Sequence, residues 1–281
     1  MNPSASRNGR RGLWAVFWLL VVFLYAPIAV LIVFSFNDRA TVSFPWEGFT
    51  LRWYRAFLAN DTLLGALATS GMIATITAVT TTVLAVPASI ALIRRRFAAQ
   101  GLVMGLLLAP LVIPLVVFGI ALLIVFNWFG IELSPLTVAI GHVVIALPFA
   151  ILTLVPRLER IPISYEEAAR DLGAAALTAF RTITMPLLAP ALVSAFLISF
   201  VISFDEVVIA SFIAGENPTF PLYLFSQMRL PQNLPPVIAV AVVVMVLSGT
   251  IVVVAEVWRR LTERRLEAEV GAAGEVVGGR G

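Results

Sequence analysis

Residues 164–186 read SYEEAARDLGAAALTAFRTITMP, and they lie within a polar segment of about thirty residues, 156–186, that separates two long apolar runs. Another polar interruption, at 94–100 between the second and third apolar runs, is under ten residues long. Loops of the longer kind in a compact fold are usually functional. Segment 156–186 is therefore where organised structure is expected outside the apolar regions.

A helical hairpin is predicted inside this loop. Ser164 and Glu167 have the spacing of a capping box, in which each side chain accepts a hydrogen bond from the other residue's backbone N–H. A short helix should follow from Tyr165 to about Leu172, and Gly173 is suited to ending it in a left-handed turn. A second helix is expected over 174–185, before the proline that opens the next apolar run.

The overall composition is that of a membrane protein. Of 281 residues, 60% are hydrophobic and 12% are charged, and the mean hydropathy is +0.99. A soluble domain carries about a quarter charged residues. Cysteine is absent and His142 is the single histidine, which excludes a disulfide framework and most transition-metal sites. Lysine is also absent, so a Walker A loop cannot exist, and any ATP hydrolysis must occur on another chain.

Six apolar runs are each long enough to cross a bilayer, which needs about 20 residues. They are 13–36, 63–93, 101–126, 135–155, 187–214 and 236–257. No small-residue cleavage site follows the first run, which is therefore interpreted as a retained helix. The sequence predicts an all-α, multi-pass membrane protein with six transmembrane helices.

Arginine placement predicts the orientation. Fifteen of the nineteen arginines lie in the N-terminal tail, in the loops after the second and fourth runs, and in the C-terminal tail. The positive-inside rule places that side, and hence both termini, in the cytoplasm. We expect a cytoplasmic tail at 1–12, a six-helix transmembrane domain at 13–258 with its cytoplasmic loop at 156–186, and a second cytoplasmic tail at 259–281.

The corner of the predicted hairpin carries small side chains. Ala168 and Ala169, with the alanines at 174–176, would let another surface approach the backbone closely. Charged residues form a rim around them. The rim consists of Glu166, Glu167, Arg170, Asp171 and Arg181. This combination is typical of a knob that docks on another protein.

The same segment resembles the signature of ABC importer permeases. Glu167-Ala168-Ala169, three residues, Gly173, nine residues and Ile183-Thr184-Met185-Pro186 match E-A-A-x3-G-x9-I-x-L-P, with Met185 in place of leucine. The resemblance implies the type I ABC importer permease fold and a location in the inner (plasma) membrane, and it identifies the hairpin as the coupling helix that sits in a groove of the ATPase subunit. The residues it implies at that interface are Glu167, Ala168, Ala169, Arg170, Gly173, Ile183 and Pro186.

Other motifs are similar to the second permease of polyamine (spermidine/putrescine) importers. They are found at 35–37, 48–54, 110–114, 141–142, 146–149 and 203–206. The resemblance implies a small cationic cargo, a homologous second permease, a dimeric ABC ATPase that binds ATP and magnesium, and a periplasmic or extracellular solute-binding protein. It implies no cofactor or metal on this chain, contact with the lipid bilayer and no nucleic-acid partner.

Asp205 and Glu206 form an acidic pair within the fifth apolar run. A charge at the bilayer centre costs on the order of 2.5–3.5 kcal/mol, so two adjacent acids require a reason. Neighbouring residues on a helix point about 100° apart, so only one can face a path squarely. We expect Asp205 to face a path for cations, with Phe204 beside it, and Glu206 to pair with another helix or a partner permease. The alternative is that both acids form structural hydrogen bonds at a kink. His142 is expected to tie two helices together.

Other classes of protein fit the sequence less well. A secondary transporter could also have six spans and an acid pair, but it commonly shows internal repeats, and none is convincing here. A membrane enzyme is disfavoured because H-E-x-x-H needs two histidines and no G-x-S-x-G elbow occurs. An ABC permease for opine-like amino-acid derivatives or another small solute stays open as an alternative.

Overall fold

The computed structural model describes residues 3–39, 44–94, 97–230 and 233–278. Within these ranges the regular structure is helical, with one isolated bridge between Asn37 and Phe49. The chain divides into two compact units, Met1–Leu64 with Leu224–Ser248 and Gly65–Tyr223 with Gly249–Gly281. The predicted all-α architecture is confirmed.

The helices follow from the apolar runs and the turns between them. In chain order they are α1 (Pro3–Phe34), α2 (Arg52–Leu58), α3 (Asp61–Arg94), α4 (Gln100–Leu108), α5 (Leu115–Trp128), α6 (Pro135–Glu159), α7 (Ser164–Asp171), α8 (Ala176–Ala179), α9 (Met185–Asp205), α10 (Ala210–Ile213), α11 (Phe220–Gln227) and α12 (Leu234–Gly278). The predicted tails at 1–12 and 259–281 continue α1 and α12 for most of their described length.

Five helical stretches in the described residues are long and apolar enough to cross a bilayer, and a sixth span results if one bent pair is counted together. That pair is Gln100–Leu111 with Leu115–Trp128, bent by 101°. The apolar run 101–126 is therefore divided into two helical segments at its prolines. Pro110 and Pro114 explain the bend, because proline removes a backbone donor and disfavours the helical conformation of the residue before it.

The smaller unit contains an aromatic stack at the end of α1. The ring of Phe36 lies between those of Phe49 and Tyr54, at centroid distances of 5.1 and 5.2 Å. The Tyr54 hydroxyl is 2.6 Å from the Ser35 hydroxyl, and the Trp53 indole donates to the Asn37 carbonyl at 2.9 Å. These contacts fasten the short helix α2 to the end of the first span.

In the larger unit, α3, α6 and α9 form the core. Ile151 and Leu154 of α6 are fully buried and cluster with Ala85 of α3 and with Leu188 and Ala195 of α9. Lipid tails are as apolar as leucine, so helices in a bilayer associate through close van der Waals packing, which small residues allow. The alanines in this cluster therefore bring the three spans close together.

The fifth span ends earlier than predicted. α9 stops at Asp205, Glu206 has an extended backbone, and α10 is a separate helical turn. The apolar run 187–214, which Asp205 and Glu206 interrupt in the sequence, is therefore not one helix, and the two acids do not lie on one continuous helix. The cause is the Glu206 side chain, which occupies the backbone N–H groups of the residues that follow it.

The predicted hairpin is present with different boundaries. α7 begins at Ser164, its N-cap is Ile163, and no side chain caps it, so the predicted capping box is wrong. Gly173 has a φ of +93°, as the left-handed turn requires. The Gly173 N–H donates to the Arg170 carbonyl at 2.9 Å and the Ala174 N–H to the Ala169 carbonyl at 3.0 Å. This pair of bonds is a Schellman ending, which satisfies carbonyls that the helix leaves free.

The second arm of the hairpin is not a separate helix. α8 continues through a π-helical turn, Phe180–Thr184, into α9, so that Ala176–Asp205 forms one helical stretch of 30 residues. The predicted boundary at Pro186 is therefore wrong. A proline inside a helix clashes with the carbonyl four residues earlier, and the wider π turn just before Pro186 accommodates that clash.

Gly215, which follows α10, provides a test of the close approach between its backbone and Leu133. Its φ is +62°, and a Cβ on it would lie 2.6 Å from the Leu133 carbonyl oxygen. Gly215→Ala should lower the melting temperature of the purified protein, because the left-handed backbone alone costs about 1–2 kcal/mol with a side chain. Gly71→Ala on α3, where a Cβ meets nothing within 4 Å, is the matched control and should melt at or slightly above the wild-type temperature. Equal melting temperatures for the two variants would contradict this account.

Candidate functional site

A cavity of about 540 Å³ lies within the larger unit. It is lined by Pro110, Leu111, Ile113, Leu115, Ile145, Phe149, Val201, Ile202, Asp205, Glu206, Val207 and Val208. Two helix interruptions meet there, namely the bend between α4 and α5 and the end of α9. Interrupted helices at membrane depth are tolerated where their backbone lines a cavity, and such places are common binding sites in transporters.

Asp205 is the available charge in this cavity. Its side chain is exposed, and no hydrogen-bond or ion-pair partner for it occurs among the described residues. Apart from Glu206, the other lining side chains are apolar. Asp205 also forms the last residue of α9, where the helix dipole places partial negative charge. The combination favours a cation, and the apolar walls favour a cation that carries hydrocarbon.

The neighbouring acid, Glu206, has partners for both of its carboxylate oxygens. The Glu206 carboxylate accepts hydrogen bonds from the N–H groups of Val208, Ile209 and Ala210 at 2.8, 2.9 and 3.1 Å. Its Oε2 also lies 3.2 Å from Nε2 of His142 on α6. The side chain is only 5% exposed. Glu206 is therefore an anchor that ends one helix and positions the next turn.

His142 completes this anchor. Its ring is fully buried, and its Nδ1 lies 2.8 Å from the Ser203 hydroxyl of α9. One imidazole thus contacts two residues on either side of the α9 terminus. This is the helix tie expected of a lone membrane histidine, and the structure identifies its partners as Ser203 and Glu206.

Phe204 lies elsewhere. Its ring stacks on Phe200 at 5.9 Å and meets Phe220 at 6.1 Å, and it does not line the cavity. The structure therefore brings Asp205 and Glu206 to the cavity and leaves Phe204 in an aromatic row beside it. The cavity walls from the α4–α5 bend were not predicted as site residues, although Pro110 and Pro114 marked the break.

The helical hairpin forms the second candidate surface. Glu167, Ala168, Arg170, Gly173 and Pro186 are exposed, whereas Ala169 and Ile183 are partly buried. Leu172, at the corner, is 91% exposed, and Tyr165 and Leu177 are also exposed. An apolar tip with a charged rim is the arrangement of a protein-binding surface.

Glu166 was predicted on the rim of this hairpin but points inward. Its carboxylate accepts hydrogen bonds from the Arg94 guanidinium at the end of α3 and from the Thr184 hydroxyl in the π turn. Burial raises the pKa of Glu166, but those hydrogen bonds and the charges of Arg94 and Arg170 outweigh it and hold the pKa below its usual range. Nothing in the spacing of 94, 166 and 184 could have indicated this contact.

Within the described residues, no group of three His, Asp or Glu side chains could hold a metal.

Comparison with known proteins places this architecture among transport proteins. Residues 82–268 match the model of the family "binding-protein-dependent transport system inner membrane component". The chain is 37% identical over 248 residues to the spermidine/putrescine transport system permease protein PotC of Haemophilus influenzae, covering 88% of this chain and 95% of the relative. It is 35% identical over 242 residues to PotC of Escherichia coli K12, covering 86% and 91%.

Two further similarities agree with these. The putrescine transport system permease protein PotI of Escherichia coli K12 is 34% identical over 252 residues, covering 86% of this chain and 89% of the relative. In fold, the chain is similar to a chain of a bacterial ABC transporter involved in the import of the acidic polysaccharide alginate. The TM-score is 0.71 at 18% identity, over 92% of this chain and 98% of that one.

The two neighbouring acids should separate in stability measurements. Glu206→Gln replaces one acceptor oxygen by an NH₂ group, which leaves buried N–H groups unpaired and should cost about 1–3 kcal/mol. Asp205→Asn removes no hydrogen bond or ion pair among the described residues and should melt close to the wild type. Melting temperatures of both variants, purified in the same detergent, measure the difference. A Glu206→Gln protein as stable as Asp205→Asn would refute the anchor role.

Proposed function

The chain belongs to the family of binding-protein-dependent transport system inner membrane components, and from this premise we propose that it is the permease subunit of an ATP-driven importer for small cations of the polyamine class. The observation that carries the cargo class is the Asp205 carboxylate, which has no partner within the described residues and faces an apolar cavity between two interrupted helices. Such a site suits a protonated amine on a methylene chain.

The relatives support the same cargo. Those reported above are named as spermidine/putrescine or putrescine permeases, and they align over most of their length. The cavity adds a physical reason. A carboxylate favours an ammonium group, whereas the surrounding isoleucine, valine and phenylalanine side chains can contact the methylene groups between amines. Interactions of both kinds are needed to hold a flexible diamine.

The driving force would come from a separate subunit. The hairpin formed by α7 and α8 would dock its exposed corner, with Glu167, Gly173 and Leu172, on a dimeric ABC ATPase that binds ATP and magnesium. This requires the hairpin, and with it both termini, to lie in the cytoplasm, as the arginine distribution indicates. A second, homologous permease would complete the path, and a solute-binding protein would deliver the cargo from outside.

The mechanism would be alternating access. α9 has 21 residues and is therefore about 30 Å long, so it reaches from the hairpin to Asp205 across the thickness of the hydrocarbon core. Closure of the ATPase dimer would shift the hairpin, and α9 would carry that shift to the cavity. Cargo affinity at Asp205 would then change as the cavity opens to one side or the other.

Asp205→Asn should abolish most cargo uptake while leaving assembly intact. In proteoliposomes with the full transporter and its binding protein, we expect the initial rate of putrescine and spermidine uptake to fall at least about tenfold, because the amine loses its charged partner. The exposed acid Glu216, changed to Gln, is the matched control and should transport normally. Wild-type uptake by Asp205→Asn would remove the argument for a cationic cargo at this cavity.

Gly173→Asp and Glu167→Lys should uncouple transport from ATP hydrolysis. The first forces a side chain into a backbone with φ +93°, and the second reverses an exposed charge on the docking surface. Membrane insertion should be unchanged, whereas uptake should fall by about tenfold or more. Glu159→Lys, which reverses an exposed charge at the end of α6, is the control. Normal ATP-dependent uptake in both hairpin variants would count against docking at this surface.

A further inference from the structure

We propose that Glu166, rather than its exposed neighbour Glu167, is the positioning residue that transmits movement of the docked hairpin to two membrane spans, through its joint contact with Arg94 and Thr184. This inference rests on the proposed function. The side chains of Glu166 and Arg94 are 15% and 11% exposed, and Thr184 is fully buried. The contact therefore lies inside the protein, behind the surface that would meet an ATPase.

The three residues come from three different segments. Arg94 is the last residue of α3, Glu166 is in the first turn of α7, and Thr184 ends the π turn that leads into α9. One carboxylate oxygen, Glu166 Oε1, accepts from both the Arg94 guanidinium and the Thr184 hydroxyl. A displacement of α7 therefore pulls on the ends of two spans at the same point.

Glu166 and Glu167 have different roles on α7. Neighbouring residues on a helix point about 100° apart, so Glu166 and Glu167 cannot face the same way on α7. Glu167 is exposed and Glu166 is turned towards the spans. One side of the same helical turn thus serves the docking surface, and the other side is fastened to the membrane bundle.

The strength of the contact of Glu166 with Arg94 and Thr184 follows from its surroundings. A charged hydrogen bond is roughly twice as strong as a neutral one, and partial burial reduces its screening by water and salt. The pKa of Glu166 is held below its usual range, so the carboxylate is charged at neutral pH. Removal of one partner would leave the other charge partly buried and unpaired, which is more disruptive than removal of both.

The beginning of α9 is also held by α6. Arg157 Nε donates to the Leu187 carbonyl at 3.0 Å, within one turn of Thr184. α9 is therefore bound at its start to α6 by Arg157 and to α7 and α3 by Glu166. These contacts make α9 respond to the hairpin as a rod, and its far end carries Asp205.

The test uses the complete transporter in proteoliposomes, with its ATPase, second permease and binding protein, and with putrescine and spermidine as probes. The variants are Arg94→Gln, Glu166→Gln, the double variant, Thr184→Val, which removes only the hydroxyl donor, and Thr184→Ser, which keeps it. Glu159→Gln on α6, an exposed acid, is the matched control. Three quantities are measured: co-purification with the ATPase, stimulation of ATP hydrolysis by loaded binding protein, and solute imported per ATP hydrolysed.

The inference predicts normal co-purification in every variant. Solute imported per ATP should fall at least about tenfold in Glu166→Gln and in Arg94→Gln, within the range typical of coupling between sites. The double variant should be no worse than the poorer single variant, because both act through one contact. Thr184→Val should lower the amount of solute imported per ATP. Thr184→Ser, which keeps the hydroxyl, should leave it at the wild-type value.

Three results would overturn the inference. They are wild-type coupling in both Glu166→Gln and Thr184→Val, losses that add in the double variant, and loss of ATPase binding in Glu166→Gln, which would make the contact a support for docking alone. Failure of the proposed cargo is distinguishable from these. If the wild type imports neither polyamine but binding protein still stimulates its ATPase, stimulation of ATP hydrolysis replaces uptake as the measured quantity.

Discussion

A bilayer contains no water to satisfy polar groups, so each charge and each free backbone group inside it must find a partner within the protein or line a wet cavity. Glu206 meets this constraint with three backbone N–H groups and His142. Because its carboxylate takes those N–H groups, α9 ends and the chain turns. Asp205, one residue earlier, is then left at a helix terminus and faces the cavity, where the chain supplies no partner for it within the described residues.

The same helix connects the two candidate surfaces. Thr184 lies just before α9 and contacts Glu166 in the hairpin, while Asp205 lies at the other end. A long-range effect needs a continuous physical connection or an element with two arrangements that both sites bias. α9 provides the connection, and the bend between α4 and α5, which faces it across the cavity, provides a break where the walls could change position.

Local sequence rules succeeded where the structure is determined locally. The left-handed turn at Gly173 follows from the residue type. The short helix before it follows from the residues of the helix itself and from the glycine that ends it. The same rules failed at Ser164 and at Pro186. At Ser164 the N-cap is the preceding residue, and at Pro186 a π turn carries the helix past the proline. The π turn ends at Thr184, which contacts Glu166 in another segment, and local spacing does not record that contact.

The sequence alone determined the number of apolar runs, the helical class, the resemblance of the hairpin to importer permeases and the presence of two acids in the fifth run, because each depends on composition or on residues close together in the chain. Only the tertiary structure decided which acid has hydrogen-bond partners and which is available, since that depends on the N–H groups of the turn that follows α9 and on His142, more than sixty residues away in sequence. It also decided that Glu166 joins Arg94 and Thr184. Contacts between distant segments arise from packing, and no local spacing encodes them.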